Sequence, residues 1–223
     1  MNDNQIMNDN QKEIDSLLES KLVDCFYHFT HKNNIDSIKE HGLCSLKKIK
    51  DENIESIYNG NPLSRALDEK YGTANDVHLS FSPNNSMWKR VIKTHLQLQG
   101  RNTSGLIDYQ GIARKEYVLL KIDTSVIHLP GVRISPINAA KKDSIYYGNI
   151  MYGLKTIDWV NNSTEAEILV PNEIPLKYID LNNYYWDDDL AELFMEIDAA
   201  DCYGLTYLCD GVYIDINGRM IER

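Results

Sequence analysis

Residues 164–171 read Thr-Glu-Ala-Glu-Ile-Leu-Val-Pro, a pair of carboxylates directly ahead of a short apolar run. The Ile-Leu-Val run favours β-structure, so this stretch predicts a strand over Glu165–Val170. Residues two apart on a strand share one face, which would place Glu165 and Glu167 side by side. This pair is either an exposed strand edge or a functional site, since two like charges are seldom buried together without a purpose.

A second polar run, Tyr-His-Phe-Thr-His at 27–31, lies near the start of the chain on a predicted strand, Cys25–Phe29. His28 and Thr30 would share one face of that strand. A helix is predicted over Asn34–His41, because Ile35 and Ile38 have helical spacing and Gly42 is a typical stop. The amides at its start, with Asn34, would offer donors to phosphate or ribose oxygens. The alternative is a polar strand edge with a surface histidine.

The chain has 223 residues, of which 43% are hydrophobic and 25% charged, as expected for one globular domain. No apolar run approaches the roughly 18 residues that span a bilayer, so no membrane association is expected. The polar, Asn-rich start does not resemble a secretory signal, and a cytoplasmic protein is expected. The four cysteines show neither zinc nor disulfide spacing and are expected to be reduced packing residues; no metal is expected.

Charge is distributed unevenly along the chain. The net charge is −10, yet residues 41–155 carry 16 Lys/Arg against 10 Asp/Glu. Residues 187–201 carry seven acids and no base. This pattern is compatible with transient contact to nucleic acid and disfavours tight nonspecific binding. The acidic stretch either competes with nucleic acid for the basic body or is simply a solvated helix face.

Periodicity predicts a mixed α+β protein with several short strands. Helices are expected at about 11–23, 87–98 and 190–200, and strands at 77–81 and 117–122. Residues 46–75 are expected to form a polar loop that contains a helix. A hairpin is expected over 203–216 around Asp210-Gly211, and Asn217-Gly218 offers a second turn.

Two further stretches are candidate binding segments. A turn, Ser-Pro-Asn-Asn-Ser at 82–86, follows the 77–81 strand, and its plain interpretation is a strand-to-helix connection. Farther on, Arg133 precedes Lys141, Lys142 and the adjacent Tyr146 and Tyr147. These side chains could cradle phosphates and stack a base, or belong to a solvated loop.

The order of four motifs resembles the DarT family of NAD-dependent ADP-ribosyltransferases, toxins that modify bases in single-stranded DNA. The motifs are YHFTHxxNIxxIxxHGL from residue 27, VHLSFSPNNSM from 77, SPINAAKKDS from 135 and AEILVP from 166. The resemblance covers roughly residues 24–181. It implies an α+β, ADP-ribosyltransferase-like split sheet core that clasps NAD, with flanking helices.

The resemblance also implies roles for individual residues. Glu167 would be the catalytic glutamate, with Glu165 beside it. His28 and Thr30 would bind the adenosine-proximal part of NAD. The remaining candidates are Asn34, Gly42 and Asn138 at the NAD pocket, and Asn84, Arg90, Arg133 and Tyr146 at the nucleic acid.

Two positions depart from the family pattern. The family usually carries an arginine in the turn after the second strand, whereas Pro83 is followed here by Asn84 and Asn85. Arg90, one helical turn beyond Met87, could replace that arginine. Glu165 stands where a family glutamine is expected, and a Glu-x-Glu pair is also typical of transferases that modify protein arginines.

The resulting expectation is a transferase domain over 24–183, preceded by a tail and helix (1–23) and followed by a packed C-terminal helix and hairpin (184–223). It would displace nicotinamide from NAD by a base of single-stranded DNA or RNA, DNA being favoured. A protein acceptor, or a non-enzymatic binding module, remains an alternative. Toxicity and a cognate antitoxin follow from the resemblance only.

Overall fold

The computed structural model describes residues 3–57, 62–83, 117–160 and 164–185, together with three short strands between 206 and 222. In these residues the helices are α1 (Asp3–Ser20), α2 (Ile35–His41), α3 (Leu46–Asp51), α4 (Pro62–Tyr71) and α5 (Ile150–Thr156). Short 3-10 helices occupy Lys32–Asn34, Thr124–His128 and Leu176–Tyr178. The strands are β1 (Cys25–His31), β2 (Leu43–Cys44), β3 (Asp76–Ser80), β4 (Tyr117–Asp123), β5 (Arg133–Ser135), β6 (Glu167–Pro171), β7 (Glu173–Ile174), β8 (Ile179–Tyr185), β9 (Thr206–Cys209), β10 (Val212–Ile214) and β11 (Met220–Glu222).

The main sheet has six strands in the order β5-β6-β3-β1-β4-β8, and every neighbouring pair is antiparallel. β3 and β6 pair over five positions and β1 and β4 over seven, but β1 and β3 pair only at Tyr27 and Ser80. The sheet therefore consists of two three-stranded halves joined at one position. The predicted α+β class and split sheet are confirmed in this form.

Strand alternation places the core on one face of this sheet. Phe26, Leu79, Ile122 and Ile168 come from both halves and are at most 1% exposed. Helix α1 adds Ile14 and Leu18 to the same cluster, and α5 adds Leu154. The apolar positions Ile14 and Leu18 have helical spacing, so this stripe packs on the core while the charged residues from Asp9 onward stay exposed.

Local capping sets where two of the helices begin. Ser45 Oγ accepts a hydrogen bond from the Lys48 N–H at the start of α3. Asn149 caps α5 in the same way through the Tyr152 N–H. Such caps satisfy amides that have no partner within the helix. The close approach of α5 to β5 depends on Gly153, where a Cβ would lie 2.7 Å from Ile134 Cβ.

Most predicted elements are confirmed within a few residues. α1 begins earlier than the predicted 11–23, and the 46–75 loop contains two helices, α3 and α4. The predicted hairpin is confirmed by β9 and β10, and β11 extends it after the second predicted turn. Strands β5 and β8 were not predicted. The predicted helices at 87–98 and 190–200, with Asn84 and Arg90, lie outside the described residues.

One predicted element is wrong at its start. Glu165 lies in a turn, and β6 begins only at Glu167. The two carboxylates are therefore not strand neighbours on one face. Ala166 between them is fully buried, and Glu165 turns outward to pair with Lys141.

Two general expectations bear on the described residues. None of their helices combines the length and apolarity needed to cross a bilayer. Cys25 and Cys44 carry free thiols, as predicted. Burial raises the pKa of Cys25 to about 12, so this thiol stays protonated and serves as packing.

Candidate active site

A cavity of about 230 Å³ lies where β1 and β3 diverge. Both halves of the main sheet contribute to its wall, and the small β2–β7 sheet contributes through Leu43 and Cys44. Six of the predicted site residues line it: His28, Thr30, Asn34, Gly42, Asn138 and Glu167. Apolar lining comes mainly from Ile38, Leu43, Leu46, Ile49, Ile54 and Ile57.

Glu167 is the first residue of β6 and is 2% exposed. Its neighbours across the sheet are Ser80 on β3 and Ser135 on β5. One carboxylate oxygen, Oε1, accepts a hydrogen bond of 2.8 Å from Asn138 Nδ2. The other, Oε2, lies 2.8 Å from His78 Nδ1. A buried carboxylate is tolerated only when it is paired and hydrogen-bonded, and here both oxygens are engaged.

His78, on β3, is the charge partner of Glu167. Its Nδ1 faces the Glu167 carboxylate, and its Nε2 lies 3.3 Å from the backbone carbonyl of Thr73. Both neighbours can only accept, so both ring nitrogens carry protons. Burial alone would lower the pKa of His78. The Glu167 hydrogen bond and the charges of Glu167 and Asp68 outweigh burial and raise that pKa to about 9.

His28 has the opposite electrostatic character. Its Nδ1 donates to the His78 carbonyl at 2.9 Å, at the point where β1 and β3 separate. Burial and the nearby His78 charge lower the pKa of His28 to about 4, although the bond to the carbonyl opposes this. The ring is therefore neutral near pH 7, with its proton on Nδ1. Nε2 is then a hydrogen-bond acceptor on a residue that lines the cavity.

Asn34 attaches the segment after α3 to the end of β1. Its Oδ1 accepts from the Ile57 N–H at 2.7 Å, and its Nδ2 donates to the Ile57 carbonyl at 2.9 Å. The same Nδ2 also lies 3.1 Å from Thr30 Oγ1. Asn34 is 7% exposed and Thr30 is 6% exposed. The Asn34 amide thus holds this part of the cavity wall in place.

Gly42 ends α2 with φ of 75° and ψ of −176°, a conformation that is essentially restricted to glycine. A Cβ at this position would lie 2.6 Å from the carbonyl oxygen of Ile174. The glycine therefore allows α2 to turn directly into β2 against β7. This turn brings Leu43 and Cys44 to the cavity.

Asn138 is held by its own loop. Its Oδ1 accepts from the Ala140 N–H, and its carbonyl accepts from Ser144 Oγ at 2.6 Å. These bonds leave Nδ2 directed at Glu167. Asn138 lines the cavity, but its main contact is with the glutamate.

Arg133 and Tyr146 form a network behind this loop. The Arg133 guanidinium pairs with Asp76, whose side chain is 4% exposed, and lies 5.1 Å from the centre of the Tyr146 ring. The Tyr146 hydroxyl donates to the Ala139 carbonyl at 2.8 Å. Neither residue lines the cavity, so any contact with nucleic acid would occur beside it. Lys141, predicted to join them, pairs with Glu165, which lies outside the cavity lining.

Sequence reasoning did not identify three cavity residues, His78, Arg65 and Asp68. His78 left a signal, because Asp76, His78 and Ser80 alternate with the apolar Val77 and Leu79 on β3, and such alternating positions share one face. Arg65 and Asp68 come from α4, within a polar stretch where nothing local distinguishes them. Tertiary packing brings Asp68 into the electrostatic reach of Glu167 and places Arg65 on the wall of the same cavity.

Comparison with known proteins identifies the family of this fold. A family model described as "ssDNA thymidine ADP-ribosyltransferase, DarT" matches residues 27–181. No curated protein matches the sequence. The DarT protein of Thermus sp. 2.9 in complex with ADP-ribosylated ssDNA has a TM-score of 0.52 and 15% identity, covering 79% of this chain and 88% of that one.

Two further solved structures resemble the chain. The Thermus sp. 2.9 DarT complex with NAD+ has a TM-score of 0.51 at 15% identity, over 79% of this chain and 89% of that one. Thermosipho africanus DarTG with ADP-ribose has a TM-score of 0.49 at 19% identity, over 70% of this chain. This chain spans 42% of the Thermosipho protein. At these identities the two Thermus structures show the fold alone, whereas the family model extends over most of the sequence. The chain belongs to the DarT family of ssDNA thymidine ADP-ribosyltransferases.

Proposed function

We propose that this protein transfers ADP-ribose from NAD+ to a base of single-stranded DNA. The observation that carries the proposal is Glu167, a buried carboxylate on the wall of a cavity that also presents His28 and Thr30. In the reaction, the bond from ribose C1′ to the nicotinamide nitrogen breaks, and its electron pair leaves with nicotinamide. A nitrogen of the base then bonds to C1′ and gives up a proton.

Glu167 is the residue that acts on the ribose. As C1′ loses nicotinamide it acquires positive charge, and a fixed anion nearby stabilises that charge more than it stabilises the ground state. The same logic applies to carboxylates in glycoside hydrolysis. The hydrogen bond from Asn138 holds the carboxylate before the substrate arrives, so little reorganisation is needed during the reaction.

The remaining NAD contacts follow from the chemistry of the wall. Neutral His28 offers Nε2 as an acceptor, and Thr30 a hydroxyl, to the adenosine side of the dinucleotide. The isoleucine and leucine side chains of the lining suit an adenine ring. Arg65 is a guanidinium on this wall, and we assign it to the pyrophosphate because arginine pairs well with phosphate oxygens.

The acceptor is assigned to single-stranded DNA on two grounds. The family model carries that substrate in its description, and the Thermus relative is in complex with ADP-ribosylated ssDNA. A base nitrogen can reach a buried C1′ only when the base is unstacked, which single strands permit. Arg133, Tyr146, Asn84 and Arg90 remain our candidates for contact with the strand. A protein acceptor is less well supported, because Glu165 pairs with Lys141 outside the cavity lining.

The biological setting is proposed on the same basis. DNA modified in this way would block replication, so the protein would act as a cytoplasmic toxin. A cognate antitoxin would bind it or remove the mark. We further propose that residues 24–183 form the transferase domain and that residues 1–23 and 184–223 are its extensions.

The test is incubation of the purified protein with labelled NAD+ and three acceptors: single-stranded DNA, single-stranded RNA and cell protein. We expect label on DNA. Glu167→Gln should lower the rate by a factor of about 1,000, as loss of one transition-state interaction does. Glu165→Gln is the matched control and should retain activity. Label on RNA or protein alone, or equal loss in both variants, would contradict the proposal.

A further inference from the structure

His78 and Glu167 stand in two different motifs of the family resemblance, VHLSFSPNNSM from residue 77 and AEILVP from residue 166, and neither motif reveals that the two side chains form a pair. The two residues are 89 positions apart and meet because β3 and β6 are adjacent strands. His78 sits two residues before Ser80, which is the direct cross-strand neighbour of Glu167. The side chain of His78 is 18% exposed and that of Glu167 is 2% exposed.

The geometry restricts the ring to one arrangement. Nδ1 is 2.8 Å from the carboxylate and Nε2 is 3.3 Å from the Thr73 carbonyl, so the ring is held from both sides. Thr73 is itself fully buried, and its hydroxyl bonds to Asp68 at 3.2 Å. A ring held between two acceptors can neither rotate nor flip without losing a hydrogen bond in a buried place. Its position is therefore determined before any ligand binds.

We propose that His78 is a positioning residue that fixes the orientation and the negative charge of Glu167 for the transfer reaction. This inference rests on the proposed function, because Glu167 must be the residue that meets the ribose. An unpaired carboxylate at this depth would take up a proton or recruit water. The imidazolium prevents both and leaves Asn138 to define the second oxygen.

The titratable groups around His78 come from four elements. Glu167 faces it from β6 and Asp68 from α4, and both favour the protonated ring. His28 on β1 is neutral and donates to the His78 carbonyl. Asp76, on the same strand as His78, is paired with Arg133. Burial opposes charge on the ring, but the hydrogen bond to Glu167 and the charges of Glu167 and Asp68 outweigh it, so the pKa of His78 is raised to about 9.

Two amide variants separate the contact of His78 with Glu167 from its contact with the Thr73 carbonyl. The amide nitrogen of His78→Asn falls near Nδ1, so this variant keeps a neutral donor for Glu167 and loses the Thr73 contact. The amide of His78→Gln reaches toward Nε2, so it keeps the Thr73 contact and loses the donor for Glu167. If His78 were only a packing residue, both variants would change the stability of the protein, and neither would lower kcat without also changing the Kd for NAD+.

The kinetic experiment measures kcat, the Kd for NAD+ and the pH profile with labelled NAD+ and single-stranded DNA. We expect His78→Gln to lower kcat about 100-fold, as a misplaced catalytic group does, with the Kd for NAD+ changed less than about threefold. His78→Asn should lower kcat only about 10-fold. Wild-type kcat should fall above about pH 9, and His78→Asn should lack that limb. Wild-type kcat and pH profile in both variants would overturn the inference while leaving the proposed function intact.

A second measurement does not depend on transferase activity. Nitrogen-15 NMR of the histidine rings should find both His78 nitrogens protonated at pH 7.5 in the wild type. In Glu167→Gln, the ring should titrate nearer to the ordinary histidine pKa of about 6.5. A neutral His78 at pH 7.5 in the wild type would overturn the inference even if DNA is labelled. If DNA is not labelled but His78 is charged and responds to Glu167→Gln, the pair stands and the proposed function fails.

Discussion

The side-chain amide of Asn34 hydrogen-bonds to both the N–H and the C=O of Ile57, at 2.7 and 2.9 Å. The two residues are 23 positions apart, and the pair of hydrogen bonds resembles the pair that two residues exchange between neighbouring β-strands. It attaches the segment that follows α3 to the end of β1. The result is a cavity whose apolar side and polar side are held together by one buried amide.

Asn34→Asp should weaken NAD+ binding. The aspartate keeps an acceptor for the Ile57 N–H but loses the donor to the Ile57 carbonyl and to Thr30. We expect the free energy of unfolding to fall by about 1–3 kcal/mol, the cost of leaving a buried group without its partner. Chemical denaturation measures the stability and calorimetry measures the NAD+ affinity. Unchanged values of both would show that Asn34 does not hold this wall.

Gly42→Ala should be far more harmful than the same change at another glycine with positive φ. At Gly42 the new methyl would meet the Ile174 carbonyl at 2.6 Å, and the backbone has φ of 75° and ψ of −176°. Gly72 has a similar φ of 73°, but a Cβ there meets nothing within 4 Å.

We expect Gly72→Ala to cost about 1 kcal/mol and Gly42→Ala about 3 kcal/mol or more in unfolding free energy. Urea denaturation of the two variants makes the comparison. Equal losses would mean that backbone strain alone, and not the contact with β7, determines the need for glycine at residue 42.

His28 should make the protein less stable in acid. Its pKa is about 4 in the folded protein and about 6.5 when unfolded, so between these values the unfolded chain binds more protons. The stability contributed by neutral His28 is therefore complete above pH 6.5 and is lost as pH falls through 4. The loss is about 3 kcal/mol, since one pKa unit corresponds to about 1.4 kcal/mol.

His28→Asn isolates this effect, because its amide nitrogen can still donate to the His78 carbonyl but does not titrate. The difference in unfolding free energy between variant and wild type should move in favour of the variant from pH 7 to pH 4. Denaturant melts at several pH values provide the measurement. A constant difference would mean that His28 is not held neutral.

Gly153→Ala tests how closely α5 packs on the sheet. The added methyl would lie 2.7 Å from Ile134 Cβ and 3.0 Å from Tyr147 Cβ, and Ile134 is fully buried. Alanine favours helix, so without the contact the variant would gain up to about 1 kcal/mol. We expect instead a loss of about 1–3 kcal/mol from overpacking. Gly148→Ala, in open space, is the matched control, and a stabilised Gly153→Ala would contradict the packing.

The elements that could be predicted are those whose signal is local. The period of two in residues 77–81, the helical spacing of Ile14 and Leu18, and the glycine at 42 each specify an element from a few neighbours. β5, with three residues, is too short for a period to be recognised. β8 reads Ile-Asp-Leu-Asn-Asn-Tyr-Tyr, and it lies at the edge of the sheet, where polar residues are tolerated.

The candidate site divides in the same way. Glu167, His28 and Thr30 stand in short motifs and were assigned from them. Glu165 was misplaced on the strand, because the alternation rule does not reveal where a turn ends and pairing begins. Arg133 was predicted to face a ligand, but a tertiary contact with Asp76 engages it. His78 lies on a strand that was predicted, but the sequence does not indicate that it pairs with Glu167.

The sequence by itself determined the family and the α+β class and made Glu167 the candidate catalytic carboxylate, because motif order and periodicity can be read from neighbouring residues. Only the tertiary structure decided what surrounds that carboxylate. His78 and Asn138 reach Glu167 from 89 and 29 residues away, through the antiparallel pairing of β3 with β6 and the loop after β5. The physical reason is that strand order and register set these contacts, and burial together with neighbouring carboxylates then sets the protonation state of each histidine. In one cavity, His28 is neutral and His78 is charged, and no local sequence pattern specifies this difference.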